Sequence, residues 1–490
     1  MLTQPMTRAD ASPDAGLETS LDAADTSVCA TAWLACLAVA AALISVTVGM
    51  NRPIWADDAN AQWMARQGFG GLIAALKHDN NFPVYYILLS FWMRIFGDSE
   101  VALRSLATAF YLVAGGATFL LGRAISGSTR VGLYAAVFYL GSTQAIAQAQ
   151  SVRMYSMMGF LAALSLWLFW QVFIEQKRGR VGAYVAVNTL GALTQIWFWF
   201  VLLAQFAVLR RDRKKFALLV TVPAVVFGVL WGPVFREQLH NGSTHWLPPF
   251  QPWYVADALL EFYGFAGIGL FGVCAFFWQR SMRVVTTVLA VSLLAPLAVS
   301  VIKPIYYPGR YSIIALPALA VLLGSTLARF GSQRLGMALA SFVLLASVGG
   351  HLRQSTAPNP EDDRATAAFI AQHAAGGDAV VFTSLTRATG DYYFQRLGAE
   401  KRFVEASFPA ELDQHPGWRD DAAMLEHPEA LEAEAERLAF YLRGKRVWLY
   451  YGYDAEVSGF LKRRLDAELR LEAAYPLSGP FHTQLLVYGQ

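Results

Sequence analysis

Long apolar runs, separated by short polar loops, occupy most of the first 350 residues of this 490-residue chain. Several approach the ~20 apolar residues that a helix needs to cross a bilayer. Charged residues make up 15% of the chain, against about 25% in soluble globular proteins. The pattern predicts a polytopic α-helical membrane protein. The formal net charge of +3 is small for this length and does not indicate a nucleic-acid partner. The runs are 30–50, 83–96, 101–122, 131–149, 154–174, 181–209, 216–234, 263–279, 284–302, 310–328 and 335–350.

Two of these runs do not fit a single span. The run 181–209 lies between the basic loops 175–180 (EQKRGR) and 210–215 (RRDRKK). Because positive residues favour the cytoplasmic side, both loops are expected there, and the run must cross twice. We therefore predict two short helices that meet at 194–199 (TQIWFW). The run 83–96 is too short to cross comfortably and predicts an interfacial or re-entrant helix.

These choices predict about eleven transmembrane helices. The N-terminus is then cytoplasmic and the C-terminal domain extracytoplasmic. The loops expected on the extracytoplasmic side are 51–100, 150–153, 235–262 and 303–309.

The composition divides the chain into three parts. Residues 1–28 are polar and acidic, which predicts a disordered cytoplasmic tail followed by a retained first helix. Residues 29–350 form the predicted transmembrane domain. Residues 351–490 predict a soluble α/β domain, because helical patterns alternate there with short apolar strands. The helical patterns are DRATAAFIAQHAAG and ALEAEAERLAFYL, and the strand patterns are DAVVFTS, RVWLYYGY and HTQLLVYG.

Two adjacent carboxylates, Asp57 and Asp58, follow the first apolar run between Trp55 and Trp63. One interpretation is that they are interfacial acids in water, since tryptophans are common at membrane interfaces regardless of function. The polar residues found in the same loop favour a functional site instead. The same loop adds an imidazole, a tyrosine pair and an acid–base pair, namely His78, Tyr85, Tyr86, Glu100 and Arg104.

Several motifs together resemble a known enzyme group. WADDA is followed by H....P.YY, FGDSE.ALR and AQSVRMYS, and later by KPIYYPGRYSIIALP and DRATAAFIAQHAAGGDAVVF. In order and spacing they are similar to the GT-C superfamily of membrane glycosyltransferases. The similarity is to the family 39-like group, which includes protein O-mannosyltransferases and the aminoarabinose transferases of lipid A. It covers nearly the whole chain.

The resemblance implies a transmembrane catalytic domain whose first extracytoplasmic loop, 51–100, forms the active site. It implies a sugar donor carried on a polyprenyl phosphate. The acidic pair of the family, commonly Asp-Glu, maps to Asp57 and Asp58, so this chain departs from it by one methylene. Many relatives carry an acid where this chain has Ser151. That departure leaves a second carboxylate site open, and with it a metal site; no cofactor is assigned and a divalent cation stays possible.

The residue types suit group transfer. A carboxylate near the attacking atom acts as general base, and Asp57 is the candidate, with Asp58 as orienting group or acceptor contact. The leaving lipid phosphate needs positive charge, for which Arg153 and Arg310 are the first candidates. Lys303 and His78 follow, although a cation at a helix end is often an interfacial anchor. The predicted substrate-lining residues are Trp55, Tyr85, Tyr155, Tyr311, Glu100 and Arg104.

The predicted function is transfer of a hexose or pentose, with inversion, from a polyprenyl-phosphate donor. The acceptor is left open as a lipid, a glycan or a protein, and the site is the outer face of a cell (inner) membrane. Two other classes remain. A secondary transporter or flippase would typically show repeats and midplane charges, whereas the charges here gather at one face. A non-catalytic scaffold for the C-terminal domain would not need acids and bases on one face.

Overall fold

The computed structural model of the chain describes residues 32–240, 247–307, 309–330, 332–357, 362–417, 419–452, 455–476 and 483–490. The predicted disordered tail, 1–28, lies outside these residues. In the first part the helices are α1 (Ala32–Thr47), α2 (Ala56–Arg66), α3 (Gly68–His78), α4 (Pro83–Phe96), α5 (Glu100–Ser126), α6 (Thr129–Leu140), α7 (Thr143–Ala149), α8 (Tyr155–Phe169), α9 (Val181–Ala192), α10 (Phe198–Val208), α11 (Arg213–Leu230), α12 (Gly232–Gln238), α13 (Tyr254–Tyr263), α14 (Phe265–Phe276), α15 (Arg283–Ile302), α16 (Leu316–Leu327) and α17 (Gln333–Thr356).

Four helical segments of the described residues are long and apolar enough to cross a membrane: Glu100–Ser126, Tyr155–Ile174, Arg280–Ile302 and Gln333–Thr356. Two bent pairs raise the number to six if each pair is one span: α11 with α12, bent by 67°, and α13 with α14, bent by 102°. The protein is therefore polytopic and α-helical. The count of about eleven spans, which includes shorter apolar helices, stays a prediction.

Helix breaks follow the sequence only in part. The predicted break in 181–209 is confirmed, because α9 ends at Ala192 and α10 begins at Phe198. The run 131–149, which the count of spans takes as one span, is not one continuous helix. It divides into α6 and α7, because the Ser142 hydroxyl caps α7 and donates to the carbonyl of Phe262. A polar cap and a partner outside the run outweigh its apolar pattern.

The helices of the first part pack around α5, which contacts α6 and α8, while α16 lies across α6. Gly324 permits that crossing. A Cβ on Gly324 would lie 2.9 Å from both the amide nitrogen of Ala135 and the carbonyl oxygen of Val131. Close approach of backbones at small residues is how helices pack in membranes.

The C-terminal part contains α18 (Asp363–His373), α19 (Thr386–Arg396), α20 (Asp421–Leu425), α21 (Pro428–Tyr441), α22 (Ala455–Glu468) and the strands β1 (Ala379–Thr383), β2 (Val404–Phe408), β3 (Val447–Tyr451), β4 (Arg470–Pro476) and β5 (Gln484–Gly489). The strand order is β2-β1-β3-β5-β4. β1 pairs in parallel with β2 and β3, whereas β5 is antiparallel to β3 and β4. The sequence-predicted helices correspond to α18 and α21, and the predicted strands to β1, β3 and β5.

Alternate residues of the central strands face two different layers. Val381 and Leu449 pack in one cluster with residues of α21 and α22, such as Leu431 and Leu461. Phe382 and neighbouring side chains face the other way, toward α19, which also contacts α2. The layer α18–α19 therefore lies between the sheet and the loop that carries Asp57. The extracytoplasmic position of this domain stays a prediction.

Candidate active site

The two predicted acids lie in the first turn of α2. Negative side chains are favourable there because the first N–H groups of a helix carry partial positive charge. Consecutive residues of a helix point about 100° apart, since one turn takes ~3.6 residues. Asp57 and Asp58 therefore face different surroundings.

Asp58 faces packed protein and its residue is only 2% exposed. Its Oδ1 accepts a hydrogen bond of 2.8 Å from the amide of Val152, and its Oδ2 lies 3.7 Å from Nη2 of Arg104. Burial raises the pKa of Asp58 from 3.8 to about 6, although Arg104 and the Val152 amide oppose this rise. Asp58 joins α2 to the segment that precedes Arg153.

Arg104 is a buried organiser of the chain before α2. It is 5% exposed and lies on α5. Its guanidinium donates to four backbone carbonyls, those of Met50, Arg52, Pro53 and Gln150. The planar, multi-donor guanidinium suits such a task. Arg104 therefore fixes the segment 50–53, from which the chain enters α2.

Asp57 faces a cleft, with 24% of its side chain exposed. Its Oδ2 lies 3.2 Å from Nη1 of Arg310, and its Oδ1 lies 4.0 Å from Nη1 of Arg153. One carboxylate thus meets two guanidinium groups from distant parts of the chain. The cleft therefore brings together two side chains of the type that binds phosphate bidentately.

Arg153 is held from behind by a polar chain. It is 9% exposed, and its Nη2 donates to Oδ1 of Asn81 at 3.3 Å. Asn81 in turn donates to Asp79 at 2.7 Å, and Asn60 of α2 donates to the same carboxylate at 3.1 Å. Burial raises the pKa of Asp79. Among the described residues, Nε of Arg153 is a buried donor with no hydrogen-bond partner. Arg153 is thus placed rigidly and retains capacity to donate.

Arg310 lies among aromatic rings. Its guanidinium carbon is 5.5 Å from the ring centroid of Trp55 and 5.2 Å from that of Tyr307. The next residue, Tyr311, stacks on Trp197 with centroids 4.5 Å apart and planes at 3°. Tyr155 meets Tyr311 edge to face at 5.8 Å. Of the predicted lining residues, Trp55, Tyr155 and Tyr311 are thus brought together beside Arg310.

Trp197 was missed by the sequence reasoning, although a signal existed. The break predicted at 194–199 had to lie on the face opposite the two basic loops, which is the face expected to carry the acids. Trp197 lies at this break, just before α10. A tryptophan in a broken helix on the face of the predicted site is a candidate lining residue on sequence grounds alone.

Glu261 is a second omission. It lies on α13, and its carboxylate accepts hydrogen bonds from the hydroxyl of Tyr306 at 2.7 Å, from Nε2 of Gln144 at 3.2 Å and from the hydroxyl of Ser312. Nε2 of Gln148 donates to the carbonyl of Gly309 at 2.7 Å. These bonds fix the chain on both sides of Arg310. Nothing in the sequence near Glu261 connected it with the distant segment 303–317.

The remaining predicted residues have other partners or none among the described residues, although Tyr85 lies near Asp58 and Arg153. The ring of His78, at the end of α3, is 4.2 Å from that of His415 in the C-terminal domain. Lys303 follows α15 and is exposed. Tyr85 is fully buried, and its hydroxyl has no hydrogen-bond partner among the described residues. Glu100 is buried and pairs with Arg364 at 2.8 Å. Substrate contact by these four residues stays a prediction.

Whether a divalent cation binds stays open for the part of the chain that the structure describes. No group of three or more His, Cys, Asp or Glu side chains there is close enough to hold a metal ion. Ser151, at the position where many relatives of the resembled group carry an acid, has its hydroxyl 3.5 Å from Oδ1 of Asp58.

Solved structures share this fold. ArnT from Cupriavidus metallidurans, in the apo state, superposes with a TM-score of 0.63 at 14% identity over 94% of this chain and 98% of that one. ArnT from the same organism bound to undecaprenyl phosphate gives 0.61 at 13% identity, with the same coverage. The oligosaccharyltransferase AglB from Archaeoglobus fulgidus, in complex with an inhibitory peptide and a dolichol-phosphate, gives 0.51 at 12% identity over 85% of this chain and 69% of that one.

No protein-family model and no curated protein matches the sequence of the chain. ArnT is a lipid A aminoarabinose transferase, and both it and AglB are GT-C proteins. Identities this low establish shared architecture, and they leave the reaction to be argued from the residues. The predicted fold is confirmed at that level: the chain is a polytopic helical protein with a GT-C-type fold.

Proposed function

We propose that this protein is a membrane glycosyltransferase that moves a sugar from a polyprenyl-phosphate donor to an acceptor. The observation that carries the proposal is the meeting of Arg153 and Arg310 at the carboxylate of Asp57. A base beside two phosphate-binding groups is what transfer from a sugar phosphate requires. The ligands named for similar folds, undecaprenyl phosphate and dolichol-phosphate, support a donor of the same class.

The residues divide the reaction between them. Arg153 and Arg310 bind the donor phosphate, and its oxygens take over the contact that Arg310 makes with Asp57. The freed carboxylate then accepts a hydrogen bond from the acceptor hydroxyl or amine. As the acceptor atom bonds to the anomeric carbon, the bond from that carbon to the phosphate oxygen breaks, with inversion. Asp57 takes the acceptor proton, and the polyprenyl phosphate leaves as an anion stabilised by the two arginines.

The proposal includes the topology. Both basic loops, 175–180 and 210–215, are cytoplasmic, which puts Asp57 and the C-terminal domain on the outer face of an inner membrane. The chain then crosses about eleven times. The acceptor is a lipid, a glycan or a protein that reaches this face.

An assay with purified protein tests the proposal. Wild-type protein in lipid nanodiscs is incubated with a panel of polyprenyl-phosphate hexoses and pentoses and with envelope lipid, glycan and protein fractions. Asp57→Asn is expected to reduce transfer by about 10²–10⁴-fold, the range for loss of a general base. The matched control is Asp212→Asn, an exposed carboxylate in the basic loop 210–215, which should transfer like the wild type.

Two results would overturn the assignment. One is an Asp57→Asn protein that is folded and fully active. The other is a wild type that transfers no sugar from the panel, together with unchanged masses of glycolipids and glycoproteins in cells that lack the gene. Flux of the polyprenyl lipid across proteoliposomes without transfer would instead assign the chain as a flippase.

A further inference from the structure

The layer α18–α19 of the C-terminal domain contacts the chain just before the candidate base. The backbone amide of Ile54 donates a hydrogen bond of 2.8 Å to the hydroxyl of Tyr393 on α19. Ile54 is fully buried and Tyr393 is 2% exposed. Because α2 begins at Ala56, this bond fixes the chain one residue before Trp55 and three before Asp57.

A buried carboxylate anchors the same contact. Glu100 is 5% exposed, with Arg364 Nη2 at 2.8 Å and Arg396 Nη2 at 3.7 Å from its oxygens. Arg364 also donates to the carbonyl of Asn51 at 2.8 Å. Both arginines come from the C-terminal domain, whereas Glu100 begins α5. A buried acid with two cations from another domain fixes how the domain is seated.

A second part of the domain contacts α2 itself. A Cβ on Gly417 would overlap the side-chain amide of Asn60, so the two residues are in close contact. Asn60 begins the chain of hydrogen bonds through Asp79 and Asn81 that holds Arg153. The C-terminal domain therefore contacts the support of Asp57 at Tyr393 and the support of Arg153 at Gly417.

We propose that the C-terminal domain is a working part of the active site. Tyr393 is a positioning residue for Asp57, and the contact of Glu100 with Arg364 and Arg396 seats the domain so that Tyr393 can act. This inference rests on the proposed function, since it gives the domain a role in that reaction. Positioning matters because a misplacement of about 1 Å can cost ~100-fold in rate.

The first test is Tyr393→Phe, which removes one hydroxyl and retains the ring. We expect kcat to fall by about 10-fold or more, within the range known for misplaced groups. The donor KM should change by less than about 2-fold, because Arg153 and Arg310 lie on other segments and an unaltered binding step leaves KM unchanged. Tyr441→Phe is the matched control, since Tyr441 is 58% exposed on the far helix α21. A folded Tyr393→Phe protein with wild-type kcat overturns the proposal.

Hydrogen exchange of the full-length protein provides a readout that does not depend on activity. Tyr393→Phe and, separately, Glu100→Gln should increase amide exchange over 51–58 and leave exchange in α8 unchanged. Unchanged exchange over 51–58 overturns the proposal even if the wild type shows no transfer, so its failure is distinguishable from that of the proposed function. Raised exchange with unchanged kcat also overturns it, because the contact would then be structural only.

Gly417→Ala tests the second contact. The added methyl must displace Asn60, which disturbs the support of Arg153 rather than that of Asp57. We expect the donor KM to rise while kcat changes less. For Tyr393→Phe the expectation is the reverse, because there kcat falls and the donor KM stays nearly unchanged. If kcat and the donor KM change in the same way in both variants, Tyr393 and Gly417 do not support Asp57 and Arg153 separately.

Discussion

Adjacent residues of α2 lie in two different regions of the molecule, which we name the packed face and the cleft face. The packed face consists of Asp58, Arg104 and Val152, and its carboxylate is 2% exposed. The cleft face consists of Asp57, Arg153 and Arg310, and the side chain of its carboxylate is 24% exposed. Both faces contain an acid and at least one arginine, yet their surroundings differ.

The difference lies in what else each arginine binds. Arg104 also donates to four backbone carbonyls, so its orientation is fixed by the main chain. Arg310 lies over two aromatic rings and is 19% exposed. An anion that enters the cleft can replace Asp57 as the partner of Arg310, whereas Arg104 is buried and its donors bind four main-chain carbonyls. The pair of Asp58 and Arg104 therefore stabilises the fold, whereas the pair of Asp57 and Arg310 can open to bind a ligand.

Arg104→Met should have the largest effect, because it breaks the packed face. The substitution leaves Asp58 buried without its cation and four carbonyls without their donor. We expect a loss of about 3–5 kcal/mol in the free energy of unfolding, the range for removing one partner of a buried pair. Thermal unfolding in detergent measures it, with Arg310→Met as the cleft-face counterpart. Equal stability of the two variants would remove the distinction between the faces.

Asp58→Asn should change how stability depends on pH. Between about pH 4 and pH 6 the unfolded carboxyl has lost its proton and the folded one retains it. Unfolding then releases a proton, so wild-type stability falls as pH rises through this window. A rise in the pKa of Asp58 from 3.8 to about 6 corresponds to on the order of 3 kcal/mol in the free energy of unfolding. The wild type loses this contribution as pH rises through the window, whereas Asp58→Asn has no titrating group here and does not.

Melting temperatures of wild type and Asp58→Asn, measured from pH 4.5 to pH 7.5, check this expectation. The melting temperature of Asp58→Asn should rise relative to that of the wild type as pH increases, and the difference should level off above about pH 7. A difference that does not change with pH would show that Asp58 is not held in a protonation state set by burial.

Arg310→Met should affect the cleft face alone. Loss of one group that stabilises developing charge costs about 10²–10³-fold in rate. We expect the donor KM to rise as well, because the arginine contacts the phosphate in the ground state, and stability to change little. Kinetics with a polyprenyl-phosphate sugar measure both constants, and Arg310→Lys should recover part of the loss. An Arg310→Met protein with normal kinetics would exclude Arg310 from donor binding.

The sequence singled out the charged residues that the structure brings together, and it did not single out the hydrogen bonds that hold them. Asp57 lies in the loop after the first apolar run, and Arg153 and Arg310 lie at the starts of later runs; the positive-inside rule predicts one face for all three. A shared face allows Arg153 and Arg310 to reach the Asp57 carboxylate, but only the folded chain brings them to within 4.0 Å and 3.2 Å of it. The hydrogen bonds from Arg104 to four carbonyls depend on how the segment 50–53 folds back, which no local pattern encodes.

The C-terminal domain shows the same division. The strands β1 and β3 are continuous apolar runs, and the sequence predicted both. The strands β2 and β4 are less regular: β2 carries Glu405, and β4 has a register shift between Leu471 and Ala473. The helix α19 reads TRATGDYYFQR, with few apolar residues, because one side of it contacts α2 rather than a conventional core. Tertiary contacts of this kind outweigh local propensity.

Trp197→Leu should have the smallest effect on the cleft face, because it removes only the ring that stacks on Tyr311. Trp197 stacks on Tyr311, so it orients the segment that carries Arg310 without itself contacting Asp57. A stacked aromatic pair contributes about 0.5–1.5 kcal/mol beyond its burial, which corresponds to a rise of roughly 2–10-fold in the donor KM. Trp197→Phe should retain most of the effect of the ring. Trp199→Leu is the matched control, since Trp199 lies two residues further along and contacts Phe227 instead. If both leucine variants raise KM equally, the stack with Tyr311 does not position Arg310, and the cleft face owes its geometry to Glu261 and the surrounding hydrogen bonds.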